Sequence, residues 1–386
     1  MVLYDLFNGI KYAIKLDTIY IDNNVFRMHY KLTVALLIGS SLLVTSSQLF
    51  GDPISCIGAN DDTQVPEQVL QTYCWIHSTF TLPGALGKQV GVEVAHPGVD
   101  TYTPNEKRQY HKYYQWVALV LFLQALGFLT PRYLWKQREA GQVARLVGQL
   151  NQPIVDNKDQ QIKLLVGYLA NNYRRGQHRL YFLWYVVCET LNLANVLLQM
   201  WLLNHFLGGS FTRYGWRVLE WSERDISERG PTDPMLAAFP RVTKCTFWVY
   251  GSSGDVQRHD SLCILPLNII NEKIYIFVWF WFALLASISA LVMIYRLLTI
   301  CFPSVRYLAL KSRARLADSA NVRLVVRRSD IGHWFLWHLL CKNLDGQHCA
   351  RVLDAYCDSV FGVGSGTGIV ANNTNDKQVV IVNEII

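Results

Sequence analysis

The stretch YHKYYQWVALVLFLQALGFLTP, residues 110–131, decides the fold of this chain. Its part from Tyr113 to Thr130 carries no charged side chain, and as a helix it is long enough to cross most of a hydrocarbon core of about 30 Å. Aromatic rings stand at its start and the basic Arg132 and Lys136 follow its end, as at the two interfaces of a membrane span. Since basic flanks mark the cytoplasmic side, the stretch predicts both a span and its direction.

The composition of the whole chain agrees with a membrane protein. Of 386 residues, 51% are hydrophobic and only 17% are charged, which departs from the usual soluble domain. Lys and Arg gather beside the apolar runs rather than in a basic domain of their own, so the net charge of +7 predicts topology and argues against nucleic-acid binding. Charged residues such as Lys11 and Asp17 interrupt the first turns, so we expect no cleavable signal peptide.

Apolar runs and basic flanks together predict an all-α membrane protein, a four-transmembrane-helix bundle with both termini in the cytoplasm. We expect a small disulfide-linked α/β domain outside the cell and a helical domain inside it. The predicted segments are an amino-terminal helix region (1–28), a first span (29–50), a first extracellular loop (51–109), a second span (110–131), a cytoplasmic loop (132–179), a third span (180–207), a second extracellular loop (208–273), a fourth span (274–301) and a cytoplasmic carboxy-terminal region (302–386), disordered from about residue 362.

The amino terminus predicts a short amphipathic helix, because Leu3, Leu6 and Phe7 recur at helical spacing. Such a helix either lies on the cytoplasmic membrane face or folds into a pore mouth. Periodicity by itself favours the membrane face.

The first span carries a face of small, weakly polar side chains. Thr33, Ser40 and Ser47 repeat every seven residues. This face either lines water or lets neighbouring helices approach closely, and without other observations close packing is favoured.

The third and fourth spans carry polar groups at membrane depth. Glu189 and Asn192 begin a polar stripe that continues through Asn195 and Gln199, and an ionisable group at this depth must face protein or water. Hydrogen bonding between helices is favoured over a transport site. We expect Arg296, near the end of the fourth span, to extend to the interface.

Four cysteines lie in the two predicted extracellular loops, where thiols pair: Cys56 and Cys74 in the first, Cys245 and Cys263 in the second. The second loop predicts a β-hairpin around the turn 251–254, with one cysteine on each arm. Pairing between the loops would hold their tips in a fixed shape.

The other cysteines give weaker signals. Cys341, Cys349 and Cys357 are eight residues apart and match no common zinc pattern, so we expect no metal site. For Cys301 a buried thiol is favoured over a lipidation site. No nucleophile, zinc-protease or nucleotide motif occurs in a suitable setting, so we expect neither an enzyme nor a cofactor.

The sequence YYQWV, formed by Tyr113, Tyr114, Gln115, Trp116 and Val117, resembles the signature of innexins, the invertebrate gap-junction proteins. The likeness covers about Ile21 to Asp358 and is nearest to the insect branch. Two cysteines per extracellular loop also suit innexins and pannexins, whereas connexins carry three. Further innexin-like stretches are Ile21–Tyr30, Gly51–Ile54, Thr72–Ile76, Pro131–Trp135, Cys188–Asn192, Thr243–Phe247, Leu265–Ile269, Asn271–Tyr275 and Trp279–Phe282.

The resemblance implies one subunit of a large-pore channel at the plasma membrane, with eight copies around a central pore and hemichannels that dock between adjacent cells. It implies homo- or hetero-oligomers with other innexins, contact with membrane lipid, and the bridges Cys56–Cys263 and Cys74–Cys245. It also turns the Leu3, Leu6, Phe7 helix and the Thr33, Ser40, Ser47 face into expected pore elements. A non-junctional, pannexin-like hemichannel is the near alternative. A four-span adhesion or scaffold protein is a more distant alternative, because this chain lacks the Cys-Cys-Gly motif that such proteins usually carry.

Overall fold

The computed structural model describes residues 19–57, 66–101, 106–148, 150–152, 157–172, 177–224 and 233–362. The expected amino-terminal helix with Leu3, Leu6 and Phe7, and the tail expected to be disordered, therefore lie outside the described residues. The chain divides into two compact units. We call Met1–Arg145 with His178–Phe302 the span unit, and Leu146–Gln177 with Pro303–Ile386 the helical unit.

Four helices in the described ranges are long and apolar enough to cross a membrane, which confirms the predicted four-span fold. They are α1 (Asn24–Phe50), α3 (Val117–Glu139), α6 (Gln177–Phe206) and α9 (Pro266–Cys301). Leucines on their outer faces, such as Leu123 and Leu291, are exposed in the isolated subunit. Lipid tails or neighbouring subunits would cover such side chains.

The other elements are shorter. The helices are α2 (Glu67–His77), α4 (Gln142–Val147), α5 (Lys158–Asn172), α7 (Tyr214–Glu223), α8 (Pro234–Ala238), α10 (Pro303–Lys311), α11 (Ser319–Arg328), α12 (Ile331–Asn343) and α13 (Gly346–Phe361). The strands are β1 (Ser55–Ile57), β2 (Thr79–Thr81), β3 (Gln109–His111), β4 (Val242–Tyr250) and β5 (Val256–Ile264).

The second spanning helix begins later and ends later than the apolar stretch 110–131. Tyr110 and His111 belong to β3, where they pair with Phe80 and Thr79 of β2, so strand pairing takes the start of the stretch. A single 3₁₀ turn follows, and α3 then runs through Pro131 to Glu139. Hydropathy could not detect either end, because sheet pairing and helix contacts are set by residues far away in the chain.

The strands in the described ranges form one five-stranded antiparallel sheet in the order β1-β5-β4-β2-β3. The predicted hairpin is confirmed as β4 and β5, with Cys245 opposite Ser261 and Gly254 in the left-handed region that a tight turn requires. Both predicted extracellular loops supply strands: β1, β2 and the first residue of β3 come from the first, and β4 and β5 come from the second. The sheet therefore joins the two loops.

The helical unit has its own core. The face of α5 made by Ile162, Leu165, Val166 and Leu169 is buried, as its periodicity predicts. The residues from Ile331 to Asp358 form two helices, α12 and α13, because Asp345 caps α13 by accepting from the backbone N–H of Gln347.

The cysteines of the carboxy-terminal helices and of the end of α9 lie in three different environments. A disulfide joins Cys341 near the end of α12 to Cys349 in α13, while Cys357 is buried and unpaired. The expectation that Cys301 is buried is wrong: its side chain is exposed at the end of α9 in this subunit.

Candidate functional site

Two disulfides bind the loops of the sheet to each other. Cys56 of β1 pairs with Cys263 of β5, and Cys74 of α2 pairs with Cys245 of β4. This is the pairing that the resemblance implies. The Cα atoms of the two pairs lie 4.0 and 5.9 Å apart, and each bridge closes a long loop, 207 and 171 residues in sequence separation. Long closures remove much conformational freedom from the unfolded chain.

The same cysteines form the centre of a small hydrophobic core. All four are buried, together with Ile54, Leu70, Tyr114 and Leu265. Three of the sulfur atoms lie within 4.8 Å of one another. Since each of them belongs to a disulfide, none is a thiolate that can bind a metal ion.

The YYQWV signature connects this sheet to α3. The Tyr113 hydroxyl donates to the carbonyl of Ala238 at 3.3 Å, and the Tyr114 hydroxyl donates to the carbonyl of Cys74 at 3.4 Å. Gln115 donates to the backbone carbonyl of Trp75. Tyrosine hydroxyls are neutral donors at physiological pH, and burial raises the pKa of both side chains further.

The last two signature residues, Trp116 and Val117, lie at the start of the second span. Val117 is fully buried at the start of α3, whereas the Trp116 ring is exposed, as suits a side chain at a membrane interface. The signature is therefore a structural joint between the disulfide-bonded sheet and the second span.

The outer part of the hairpin presents large apolar side chains. Trp248 and Tyr250 of β4 are 53% and 77% exposed, and Val256 at the start of β5 is exposed as well. Below them, Asp260 of β5 lies 3.1 Å from both Lys244 and Arg258. These cations lower the pKa of Asp260, against the opposing effect of its partial burial. Exposed rings on a disulfide-bonded frame have the character of a protein-binding surface.

A buried charged cluster joins all four spanning helices at the end opposite the sheet. Glu189 of α6 accepts from Arg296 of α9 at 2.8 and 2.7 Å and from the side chain of Asn23 at 2.8 Å. Glu189 and Arg296 are only 5% and 6% exposed. The expectation that Arg296 reaches the interface is wrong, because its guanidinium turns inward to a carboxylate.

Asp22, just before α1, is the second centre of this cluster. It accepts from Arg27 at 2.9 Å, from Tyr30 at 3.0 Å and from Arg132 of α3 at 2.8 Å. Trp135 of α3 adds a hydrogen bond to the carbonyl of Ile21 at 3.1 Å. The chain entering α1 is thus bound directly to α3 and α6, and through Glu189 to Arg296 of α9. Sequence reasoning missed Asp22 and Arg132 as partners, because they are 110 residues apart.

The predicted pore residues of α1 do not share one environment. Thr33 is fully buried, donates to the carbonyl of Met28 at 2.9 Å and accepts from the Trp281 ring nitrogen at 2.9 Å. Its hydroxyl is used in contact between α1 and α9. Ser40 and Ser47 are partly exposed. Leu3, Leu6 and Phe7 lie outside the described residues.

Asn192 and its neighbours on α6 are mostly inside the bundle. Asn192 and Gln199 are buried, and Gln199 donates to Asn195 at 3.4 Å. Buried positions of the polar stripe therefore face protein. The Gln199–Asn195 bond lies within α6, and bonding between helices is seen at Glu189, which accepts from Arg296 of α9.

Comparison with known proteins agrees with this architecture. The sequence model of the innexin family matches residues 22–360. The chain is 49% identical over 346 residues to innexin inx2 of Drosophila melanogaster, covering 89% of this chain and 92% of that protein. It is 47% identical to innexin inx2 of Schistocerca americana, covering 89% and 94%, and 45% identical to innexin shaking-B of Drosophila melanogaster, covering 89% and 91%. With nearly the whole sequence, four spans and paired loop cysteines in agreement, the chain belongs to the innexin family.

Proposed function

We propose that this chain is a structural subunit of gap junctions. Copies of it, alone or with other innexins, assemble around a central pore into a hemichannel of eight subunits. Hemichannels of two adjacent cells dock head to head, and ions and small molecules diffuse through the joined pore. No chemical step occurs. The observation that carries the proposal is the disulfide-bonded sheet, built from both loops on a four-span innexin bundle.

The orientation in the membrane follows from charge and sulfur chemistry. Basic residues such as Lys136 and Arg138 lie in the last turn of α3, at the end of this span away from β3 and the sheet, which supports placing that end in the cytosol. The two loop disulfides then lie outside the cell, where such bonds persist. We place the subunit in the plasma membrane with both termini in the cytosol.

In this proposal the exposed rings of the hairpin form part of the docking contact. Apolar side chains such as Trp248 and Tyr250 contribute most to binding when a rigid frame presents them to a partner surface. Cys245 lies in the same strand as both rings, and its disulfide to Cys74 of α2 supplies that rigidity. The partner is the equivalent surface of a hemichannel on the neighbouring cell.

The pore side of the subunit is assigned to the amino-terminal residues and to the open face of α1. Ser40 and Ser47 are the partly exposed members of the predicted polar face. Gly39 lies beside them with nothing within 4 Å of an added Cβ, so this part of α1 has room for water or a neighbouring subunit. Thr33 contributes to packing instead.

Dye transfer tests the proposal. Cells without junctional coupling of their own are made to express this chain and are loaded with a small fluorescent tracer before pairing. We expect transfer to an expressing neighbour and none to a neighbour without the chain. Leakage from single cells without transfer between pairs would assign a non-junctional hemichannel. Surface expression with neither signal would contradict a channel.

A further inference from the structure

A groove of about 540 Å³ lies between α10 and α11 of the helical unit. Three guanidinium groups line it: Arg306 from α10, and Arg323 and Arg327 from successive turns of α11. None of the described residues lining the groove is acidic. The volume is within the range of sites that hold small molecules.

The three arginines of this groove have no carboxylate partner within ion-pair distance among the described residues. The buried Arg296 of the span unit is in contrast paired with Glu189. Arg323 and Arg327 are four residues apart on one helix, a spacing at which like charges repel. Arg323 also lies over the Tyr307 ring at 5.4 Å, which orients its planar group. A bound anion would relieve the repulsion.

Two polar atoms in the lining lack a hydrogen-bond partner within the described structure. Ser329 is only 7% exposed, and its hydroxyl is unsatisfied. The Nε of Arg306 is equally buried and unsatisfied. Buried polar atoms are nearly always hydrogen-bonded, so two such atoms in one groove indicate a partner that is not part of the chain.

Hydrogen bonds to side chains outside the groove lining fix the backbone of its two helices. The Trp334 ring nitrogen of α12 donates to the carbonyl of Arg306 at 3.0 Å, and Trp334 is fully buried. Asp318 caps α11 by accepting from the backbone N–H of Ala320 at 3.2 Å. The arginines therefore stand on two fixed helices.

We propose that this groove binds a ligand carrying clustered phosphate groups. Guanidinium groups form paired hydrogen bonds to phosphate oxygens, and three of them around one cavity suit more than one phosphate. An inositol phosphate, either free or as the headgroup of a membrane lipid, has this chemistry. Only Phe302 separates α9, a membrane-spanning helix, from α10, so a lipid headgroup is within reach of the chain at this point. The proposal is independent of whether the channel forms junctions.

Binding to the full-length purified protein tests this site. The soluble probe is inositol trisphosphate, measured by calorimetry in about 0.15 M salt. The membrane probe is a vesicle containing phosphatidylinositol bisphosphate, compared with a phosphatidylserine vesicle of equal charge. We expect binding of at least one phosphoinositide probe, and the probe that binds identifies free ligand or lipid as the source.

Matched variants make the test specific. Arg323→Gln with Arg327→Gln should weaken binding about tenfold or more, since two charge-assisted contacts are lost. The control pair Arg313→Gln with Arg351→Gln removes the same charge from exposed positions outside the groove and should change binding less than about twofold. Ser329→Ala, which keeps all charges, should weaken binding by a smaller factor. Equal losses in the groove and control pairs, or no phosphoinositide binding by the unchanged protein, would overturn the proposal.

Discussion

Arg296 of α9 and Glu189 of α6 form a doubly hydrogen-bonded ion pair, with Nε and a terminal nitrogen 2.8 and 2.7 Å from the two carboxylate oxygens. Asn23 donates to the same carboxylate from the segment before α1. Charges at this depth are stable only when they are paired and hydrogen-bonded. The pair therefore holds two spanning helices and the entry of a third in one arrangement.

Removing one charge of this pair should destabilise the subunit strongly. Glu189→Gln leaves the Arg296 guanidinium buried without a counter-charge, at a cost of about 3–5 kcal/mol. We expect a lower thermal midpoint for the detergent-purified protein. Replacing both residues by methionine should recover much of the loss, because no charge is then left unpaired. A Glu189→Gln protein as stable as the original would show that the pair does not hold the helices together.

Asp22 should control the position of the chain that enters α1. Asp22→Asn weakens three contacts, to Arg27, Tyr30 and Arg132, and so frees the segment that precedes the proposed pore lining. We expect altered tracer uptake through unpaired hemichannels of single cells, normalised to protein at the surface. Asp52→Asn, at an exposed position beyond the other end of α1, is the matched control and should leave uptake unchanged. If the Asp22 and Asp52 variants take up tracer equally, Asp22 does not control how the chain enters the proposed pore lining.

The sheet should lose stability in mild acid. His111 of β3 is buried, its ring lies 2.8 Å from the Thr81 hydroxyl, and burial lowers its pKa from 6.5 to about 4. The unfolded chain thus binds the proton more readily, so this contribution is complete above about pH 6.5 and falls as the pH drops towards 4, by roughly 3 kcal/mol at most.

Thermal unfolding at several pH values checks the role of this histidine. His111→Gln, which can still bond to Thr81, should lose less stability between pH 6.5 and 4 than the original protein. His77→Gln, at an exposed position on α2, should keep the original pH dependence. If the His111 and His77 variants lose stability equally, another group is responsible.

Local sequence patterns predicted the four spans and the hairpin because these depend on neighbouring residues. An uncharged run such as 113–130 and the turn at Gly254 can be recognised without the rest of the fold. The polar stripe of α6 was visible for the same reason, but the partner of Glu189 is 107 residues away. Its identity depends on how α6 and α9 pack.

The basic residues beside the spans show the same limit: local sequence predicts their side of the membrane but not their partners. Basic residues beside the apolar runs, such as Arg132, indicate the cytoplasmic side, which is a property of charge alone. The convergence of Arg306 with Arg323 and Arg327 around one groove depends on the packing of α10 against α11. Similarly, hydropathy placed Tyr110 and His111 in a span, while pairing with β2 places them in the sheet.

Junctional conductance between two cells tests the central claim most directly, namely that the disulfide-bonded sheet is the docking surface. Pairs of cells expressing the original chain should conduct. Pairs in which one cell carries Cys74→Ser with Cys245→Ser should not, and an impermeant reductant applied before pairing should abolish conductance of the original chain. Cys188→Ser, which removes an unpaired buried thiol of α6, should leave conductance intact. Undiminished conductance with the loop disulfides absent from surface-expressed protein would contradict the account.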